Sequence, residues 1–512
     1  MLRSSLLAVV VLLAMMAALG AGPAIADDHD EDDDADVTFS AGAEGDDGAE
    51  ADGEDVEAAD DEVSIYDAVP ADTQWRESIR LNEVDRQHDG SGVTVAVLDT
   101  GVTRHPDLGD RVTARVDLTP ERDGYDHYGH GTHMIGLIAG DGGSSGGRWE
   151  GAAPGASVLP VKVASWNGAT DVSAVIAGLE WIAAHRERYD IRVVNLSYGT
   201  DSSQKWLEDP LNDAVERLWE AGVLVVAGAG NGGDGGSKIE KPGDDPYVLT
   251  VGAADTRGTA ARGDDALAEF SSVGPTGDGI EKPDLVAPGV SLVSQRSTGS
   301  TIDELRPRAR IDDRYFKGSG TSQAAAVVSG VAARMFDAAP AMTPDEAKAA
   351  LVGTAAPELA GSPGAGSGMV DANAAVSAAL TRQYASRPAN QGLPSSTGDG
   401  KIDSSRGSIK PYTDWKEPGK AEQLSGEYDA LGHGWDGPAW AARDWNAAGW
   451  SASPWAALTT TAGGWSDAPA AGASWQGLGW DEDSWIARSW GARSWGARSW
   501  GARSWGGALW NG

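Results

Sequence analysis

The sequence predicts an α/β fold, a doubly wound and mostly parallel sheet with helices on both faces. Three observations carry this. Strand-like and helix-like runs alternate through the middle of the chain, as crossover connections between parallel strands require. The strand-like runs are mostly apolar and rich in β-branched residues, the pattern of strands buried on both faces. Polar residues able to do chemistry stand just past the carboxyl ends of those runs, where open sheets of this class bind ligands.

The chain opens with Arg3, an apolar run over residues 6–19 and Ala24-Ile25-Ala26, which reads as a signal peptide over 1–26. The apolar run falls short of the roughly 20 residues a spanning helix needs. Residues 27–72 are dominated by Asp, Glu, Ala and Gly. They offer little to bury and are expected to be disordered, as a solvated tail or an electrostatic spacer. Ordered sequence is expected from 73, where Trp75, Ile79 and Leu81 restore apolar content.

Gly92-Val93-Thr94-Val95-Ala96-Val97-Leu98-Asp99 reads as a buried strand ending in a carboxylate. Asp99 either serves a site or caps the following turn. Residues 129–140 read as a buried helix carrying His130 in its first turn. His130 and His133 could share a face and hold a metal, but no Glu follows in the pattern of a zinc peptidase. His133 therefore reads as a core residue, and His105 and His127 as loop residues. Strands follow at 157–163, 192–196, 223–227 and 247–251, with helices at 171–185 and 213–221. Asn231, among glycines after the third of these strands, is a turn residue or an amide donor. In Gly318-Ser319-Gly320-Thr321-Ser322-Gln323-Ala324-Ala325-Ala326-Val327, glycines lead into an alanine-rich helix. Ser322 is then either an ordinary helix cap or a nucleophile.

Each residue alone has a structural explanation, but Asp99, His130, Asn231 and Ser322 are all expected on one rim of one sheet. The motifs Asp99-Thr100-Gly101, His130-Gly131-Thr132-His133 and Gly320-Thr321-Ser322 resemble those of the subtilisin-like serine proteases, in the same order. Asn195-Leu196-Ser197-Tyr198-Gly199, Gly230-Asn231 and Lys282-Pro283-Asp284-Leu285-Val286-Ala287-Pro288-Gly289 extend the likeness across residues 73–385. The resemblance implies an Asp99, His130 and Ser322 triad acting through an acyl-enzyme, with Asn231 and the Ser322 N–H as the oxyanion hole. It also implies Gly168-Ala169-Thr170 and Tyr198-Gly199-Thr200 as walls for an extended peptide.

Departures from the family pattern are visible. Where Met-Ala-Ala-Pro-His usually follows the nucleophile, Gln323-Ala324-Ala325-Ala326-Val327 stands here, and the sequence offers no reason for Gln323. The asparagine-rich calcium loop of the family is replaced by residues 142–147, all Gly and Ser. Asp107 alone matches a ligand position, so structural calcium is doubtful and the chemistry itself calls for no cofactor. Residues 27–72 are mostly acidic, poor in apolar residues and close to the roughly 40-residue floor for a domain that folds alone, which makes assisted folding by a prodomain doubtful. Residues 291–314, long and charged, are expected to form a surface loop beside the cleft.

Residues 386–430 read as a linker and 431–512 as a Trp-rich repeat tail, with tryptophan recurring on a step of five from Trp435. That step matches neither helix nor strand, so disorder is expected. Trp interleaved with Arg488, Arg493, Arg498 and Arg503 suits attachment to polysaccharide, cell envelope or a membrane interface, and removal as an inhibitor or export element is an alternative. The net charge of −37 weighs against nucleic acid as a partner. The absence of cysteine rules out disulfides in an exported protein. The sequence thus predicts a secreted or cell-surface endopeptidase, a monomer acting on proteins or peptides. An adhesin whose protease-like domain has lost activity is the competing class.

Overall fold

The computed structural model of the protein describes residues 73–234, 239–408, 410–413, 416 and 422–462. The leader at 1–26, the acidic segment at 27–72 and the repeats beyond 462 lie outside the described residues. Strands are β1 Thr94–Asp99, β2 Arg115–Asp117, β3 Ser157–Lys162, β4 Ile191–Leu196, β5 Leu224–Gly228, β6 Leu249–Asp255, β7 Ala266–Leu267, β8 Leu285–Pro288, β9 Leu292–Gln295, β10 Tyr315–Gly318, β11 Tyr412–Thr413, β12 Glu422–Gln423 and β13 Thr460–Ala462. Helices are α1 Trp75–Ser78, α2 His130–Ala139, α3 Val172–His185, α4 Pro210–Glu220, α5 Thr301–Leu305, α6 Thr321–Ala338, α7 Pro344–Gly353, α8 Ala372–Leu380, α9 Ile402–Ser405, α10 Gly437–Ala441 and α11 Ala447–Ala452.

The main sheet runs β13-β2-β3-β1-β4-β5-β6-β7, with β8 also paired to β6. Only β13 and β7 run antiparallel to their neighbours in it. The doubly wound, mostly parallel sheet expected from the sequence is therefore present. β1 lies at its centre between β3 and β4, and every residue of β1 is buried, which is why Val95, Ala96, Val97 and Leu98 show no polar alternation. α6 packs against β4, β5, β6 and β8 and is buried from Thr321 to Phe336. Its small residues permit that approach: a methyl group at Gly330 would lie 2.5 Å from the Ala152 side chain. One polar contact pins α6 to the sheet, with Ser329 Oγ donating to Asn195 Oδ1 at 3.0 Å.

The sequence reading started α4 at 213, whereas it begins at Pro210, capped by Asp209 and opened by a proline that loses no needed N–H. The loop expected over 291–314 contains β9 and α5, and β9 pairs antiparallel with β10 directly after it. Thr301 and Ile302 donate their N–H groups to the carbonyls of His127 and Tyr128, so this insert packs on the segment that leads into α2.

The largest departure follows residue 386. The described residues of the stretch expected to be a linker and an unpacked tail lie folded on the sheet domain as far as 462. Ser396 donates its N–H to Glu216, α9 packs against α3 and α4, α10 against α4, and α11 against α3. Trp440, Trp450 and Trp455 are buried. Asp436 and Asn446 cap α10 and α11, so the step of five is met by single helical turns, each restarted by a capping side chain. Arg217 of α4 lies over the rings of Trp440 and Trp445 and donates to the Ala441 carbonyl at 2.5 Å. β13 then covers the edge of β2. Among the described residues no helix is long and apolar enough to cross a membrane.

Trp440→Ala removes a buried ring and its cation–π partner, and is expected to lower unfolding stability by about 3–5 kcal/mol in denaturant titration. An unchanged midpoint would mean that the strap does not stabilise the domain.

Candidate active site

Asp99 is the last residue of β1 and His130 the first of α2, and both are buried. His130 Nδ1 lies 2.8 and 2.9 Å from the two carboxylate oxygens of Asp99. That contact fixes the tautomer and leaves Nε2 as the ring position able to take a proton. Strand end and helix start meet closely: a methyl group at Gly131 would lie 2.3 Å from the Gly101 carbonyl oxygen. Burial pushes the Asp99 carboxyl above its usual value, while the imidazole and the Thr100 N–H, 2.7 Å away, act in the opposite direction.

Asp126, buried in the segment before α2, holds this junction. Its Oδ1 accepts from Thr100 Oγ1 and the Gly129 N–H, and its Oδ2 from the Thr132 N–H and Oγ1, each at 2.7 Å. Thr100 Oγ1 in turn accepts from the Gly131 N–H at 2.9 Å. The carboxylate therefore satisfies first-turn N–H groups of α2 and ties them to the end of β1.

Ser322 is the second residue of α6, and α6 packs against α2. Asn231 stands just past β5. Its Oδ1 accepts from the Thr321 N–H at 2.9 Å and from Thr321 Oγ1 at 3.2 Å. With the amide oxygen held by Thr321, the Nδ2 hydrogens remain to donate elsewhere. Ser322 is 3% exposed and Asn231 6%, so a charge forming here would feel a low-dielectric surround and the N-terminus of α6. The arrangement can deprotonate a hydroxyl and stabilise a developing oxyanion.

Gly168, Ala169 and Thr170 lie just before α3, and Tyr198, Gly199 and Thr200 just after β4; all are buried. Thr200 exchanges backbone hydrogen bonds with Lys241, which fixes that stretch from one side. Ser197, which precedes it, approaches the Ser322 carbonyl at 3.5 Å.

The histidines separate as expected. His133 Nε2 meets the Phe316 carbonyl at 3.1 Å, and burial pushes its pKa down to about 3, the state of a neutral core residue. His105 accepts from the Asp107 N–H, and His127 pairs with Asp123 at 2.8 Å. Glu121, Asp123 and His127 come close enough to hold a cation, but Lys162 Nζ lies 2.7 Å from Glu121 and supplies the positive charge itself. At Asp107, the Ser144 N–H donates to Oδ1 at 2.7 Å and the Tyr315 hydroxyl to Oδ2. Arg111 donates to the Asp107 carbonyl, and Arg314 to Ser144 Oγ at 3.0 Å. Protein donors surround the carboxylate where calcium would need several further oxygens, so these residues do not fit the ion.

Sequence reasoning missed Asp126 and the role of Thr321. An Asp four residues ahead of a helix-opening histidine is a legible capping signal; a threonine that orients an amide from another strand is not. Gln323 is buried, with neither amide atom hydrogen-bonded among the described residues.

The model of the Subtilase family matches residues 90–400. Serine protease AprX of Bacillus subtilis is 43% identical over 268 residues, covering 51% of this chain and 61% of that protein. Subtilisin Savinase of Lederbergia lenta is 37% identical over 286 residues, covering 56% of this chain and 91% of Savinase. M-protease of Shouchella clausii is 37% identical over 286 residues, 56% of this chain and 64% of that protein. The chain thus spans less than two thirds of the lengths of AprX and M-protease.

Tyr315→Phe leaves a buried Asp107 oxygen without its donor and is expected to cost about 1–3 kcal/mol. The wild type should melt at the same temperature in EDTA as in added calcium. A calcium-dependent rise would overturn the metal-free account of Asp107.

Proposed function

Because the chain belongs to the subtilase family, we propose that it is a secreted serine endopeptidase that hydrolyses peptide bonds in proteins through Asp99, His130 and Ser322. One observation carries the reading: the two-oxygen contact of Asp99 with His130 Nδ1, on the same rim as an Asn231 amide whose oxygen is held by Thr321. Ser322 Oγ attacks the scissile carbonyl as His130 Nε2 takes its proton. Asp99 keeps the imidazole oriented and stabilises its cation. Asn231 Nδ2 and the Ser322 N–H receive the oxyanion. His130 then returns the proton to the leaving amine, and water resolves the acyl-enzyme by the same path. Gly168, Ala169 and Thr170 on one side, and Tyr198, Gly199 and Thr200 on the other, pair with the substrate main chain.

Export is supported by the leader-like residues 1–26. Surface attachment falls to the Trp and Arg repeats beyond 462, since the preceding tryptophans are spent on α3 and α4.

A fluorophosphonate probe is expected to label the wild type and not Ser322→Ala; a folded wild type that takes no label would end the enzyme reading. Asn231→Ala should lower kcat roughly 10²- to 10³-fold with KM little changed, the known scale for subtilisin rather than a value drawn from these distances. A loss confined to KM would place Asn231 in ground-state binding.

A further inference from the structure

Two limbs of the segment after 386 tie the walls of the cleft together. The limbs are residues 401–408 with 410–413, and residues 422–431, joined by the antiparallel β11–β12 pair and by the Ile402 N–H donating to Glu427 at 3.0 Å. On one side they hold the start of α3, directly after Thr170. Arg406 Nε donates to Asp171 Oδ2 at 2.6 Å and Nη2 to Oδ1 at 3.3 Å, and the Ala430 N–H donates to Ser173 Oγ at 2.9 Å. On the other side they hold Thr200 and its neighbour. Thr200 Oγ1 donates to the Ser405 carbonyl at 2.8 Å, and the Ser408 N–H to Asp201 at 2.6 Å. Ser197, at the opposite end of this second wall, is the residue that approaches Ser322. The bridge therefore crosses the cleft at the end of that wall away from the nucleophile.

Arg406 is the residue on which the bridge closes. It is 1% exposed, and its guanidinium also donates to the Gly426 carbonyl at 3.0 Å and to the Tyr428 carbonyl. One side chain thus joins both limbs to the N-cap of α3, and its charge is met by a fully buried carboxylate. Water has no access to either partner, so the pair opens only if the limbs leave together.

We propose that residues 401–408 and 422–431 form a gate across the far end of the peptide cleft, latched by Arg406 on Asp171, and that Arg406 thereby determines how much polypeptide can extend beyond the scissile bond in that direction. The proposal rests on the reading of Gly168, Ala169, Thr170, Tyr198, Gly199 and Thr200 as substrate walls. Each wall is three residues long and pairs with an extended stretch of about 10 Å at roughly 3.3 Å per residue, so roughly three substrate residues fit before the chain meets the bridge. Short peptides are cleaved with the gate closed, whereas a protein chain threads only when it opens.

The test is a set of peptides with one cleavable core, lengthened residue by residue at either end. In the wild type, kcat/KM should fall at least tenfold once one end passes roughly three residues, and lengthening the other end should have no such effect. Arg406→Ala should restore the long peptides and raise casein cleavage, leaving the core peptide within twofold. Should that variant fail to fold, Arg406→Lys, which keeps the charge but loses the forked contacts, takes its place, and the wild-type length series decides the question without any variant. Equal cleavage of core and lengthened peptides overturns the gate alone. No hydrolysis of any peptide, together with no fluorophosphonate label, overturns the catalytic reading and the gate with it.

Discussion

The geometry of the site depends on one buried carboxylate that takes no part in the proposed chemistry. Asp126 accepts from the first turn of α2 and from Thr100 at the end of β1. Without it, fewer bonds would hold the start of the helix to the end of the strand, the Gly131 N–H to Thr100 Oγ1 contact among those remaining, and the imidazole would be held less firmly against Asp99. A buried charge is costly unless fully hydrogen-bonded, and here the donors around Asp126 repay that cost while fixing a distance. Thr321 does the same for Asn231: it occupies the amide oxygen and so decides which way the nitrogen faces. Positioning in this molecule is done by short polar side chains one step behind the residues that would touch substrate.

That division explains what the sequence disclosed. β1, β3, β4 and β5 are legible because strands buried on both faces leave uninterrupted apolar runs, and α6 because a helix threaded against a sheet must be small-sided. Asp99, His130, Asn231 and Ser322 stand out because glycines flank them where the backbone turns or approaches closely. β2 was illegible: it is three residues long, flanked by charge, and defined only by its neighbours. Thr321 and Asp126 were passed over because a polar residue that satisfies a partner distant in sequence looks, locally, like any loop residue.

Composition misjudged the stretch from 386 to 462 for a related reason. Few apolar residues imply that a segment cannot fold by itself, and that inference concerns the segment alone. Here the apolar surface is supplied by α3 and α4, and a few large rings bury enough area against it. Arg443 on Glu180 and Arg406 on Asp171 add charged contacts that exist only when the two parts are together. Over the described residues from Trp435 to Trp455, the step of five in tryptophan is thus a record of contact with a neighbouring surface.

The amide beside the nucleophile has a chemical consequence of its own. In the usual family pattern a methionine stands next to the serine, and a thioether there can be oxidised to a polar sulfoxide that crowds the site. Gln323 holds no sulfur, the chain contains no cysteine, and Met134, Met335, Met342 and Met369 are shielded in the core. Among the described residues the surroundings of Ser322 therefore present no accessible sulfur for peroxide to oxidise, and the proposed nucleophile keeps a neighbour whose polarity does not change with peroxide exposure.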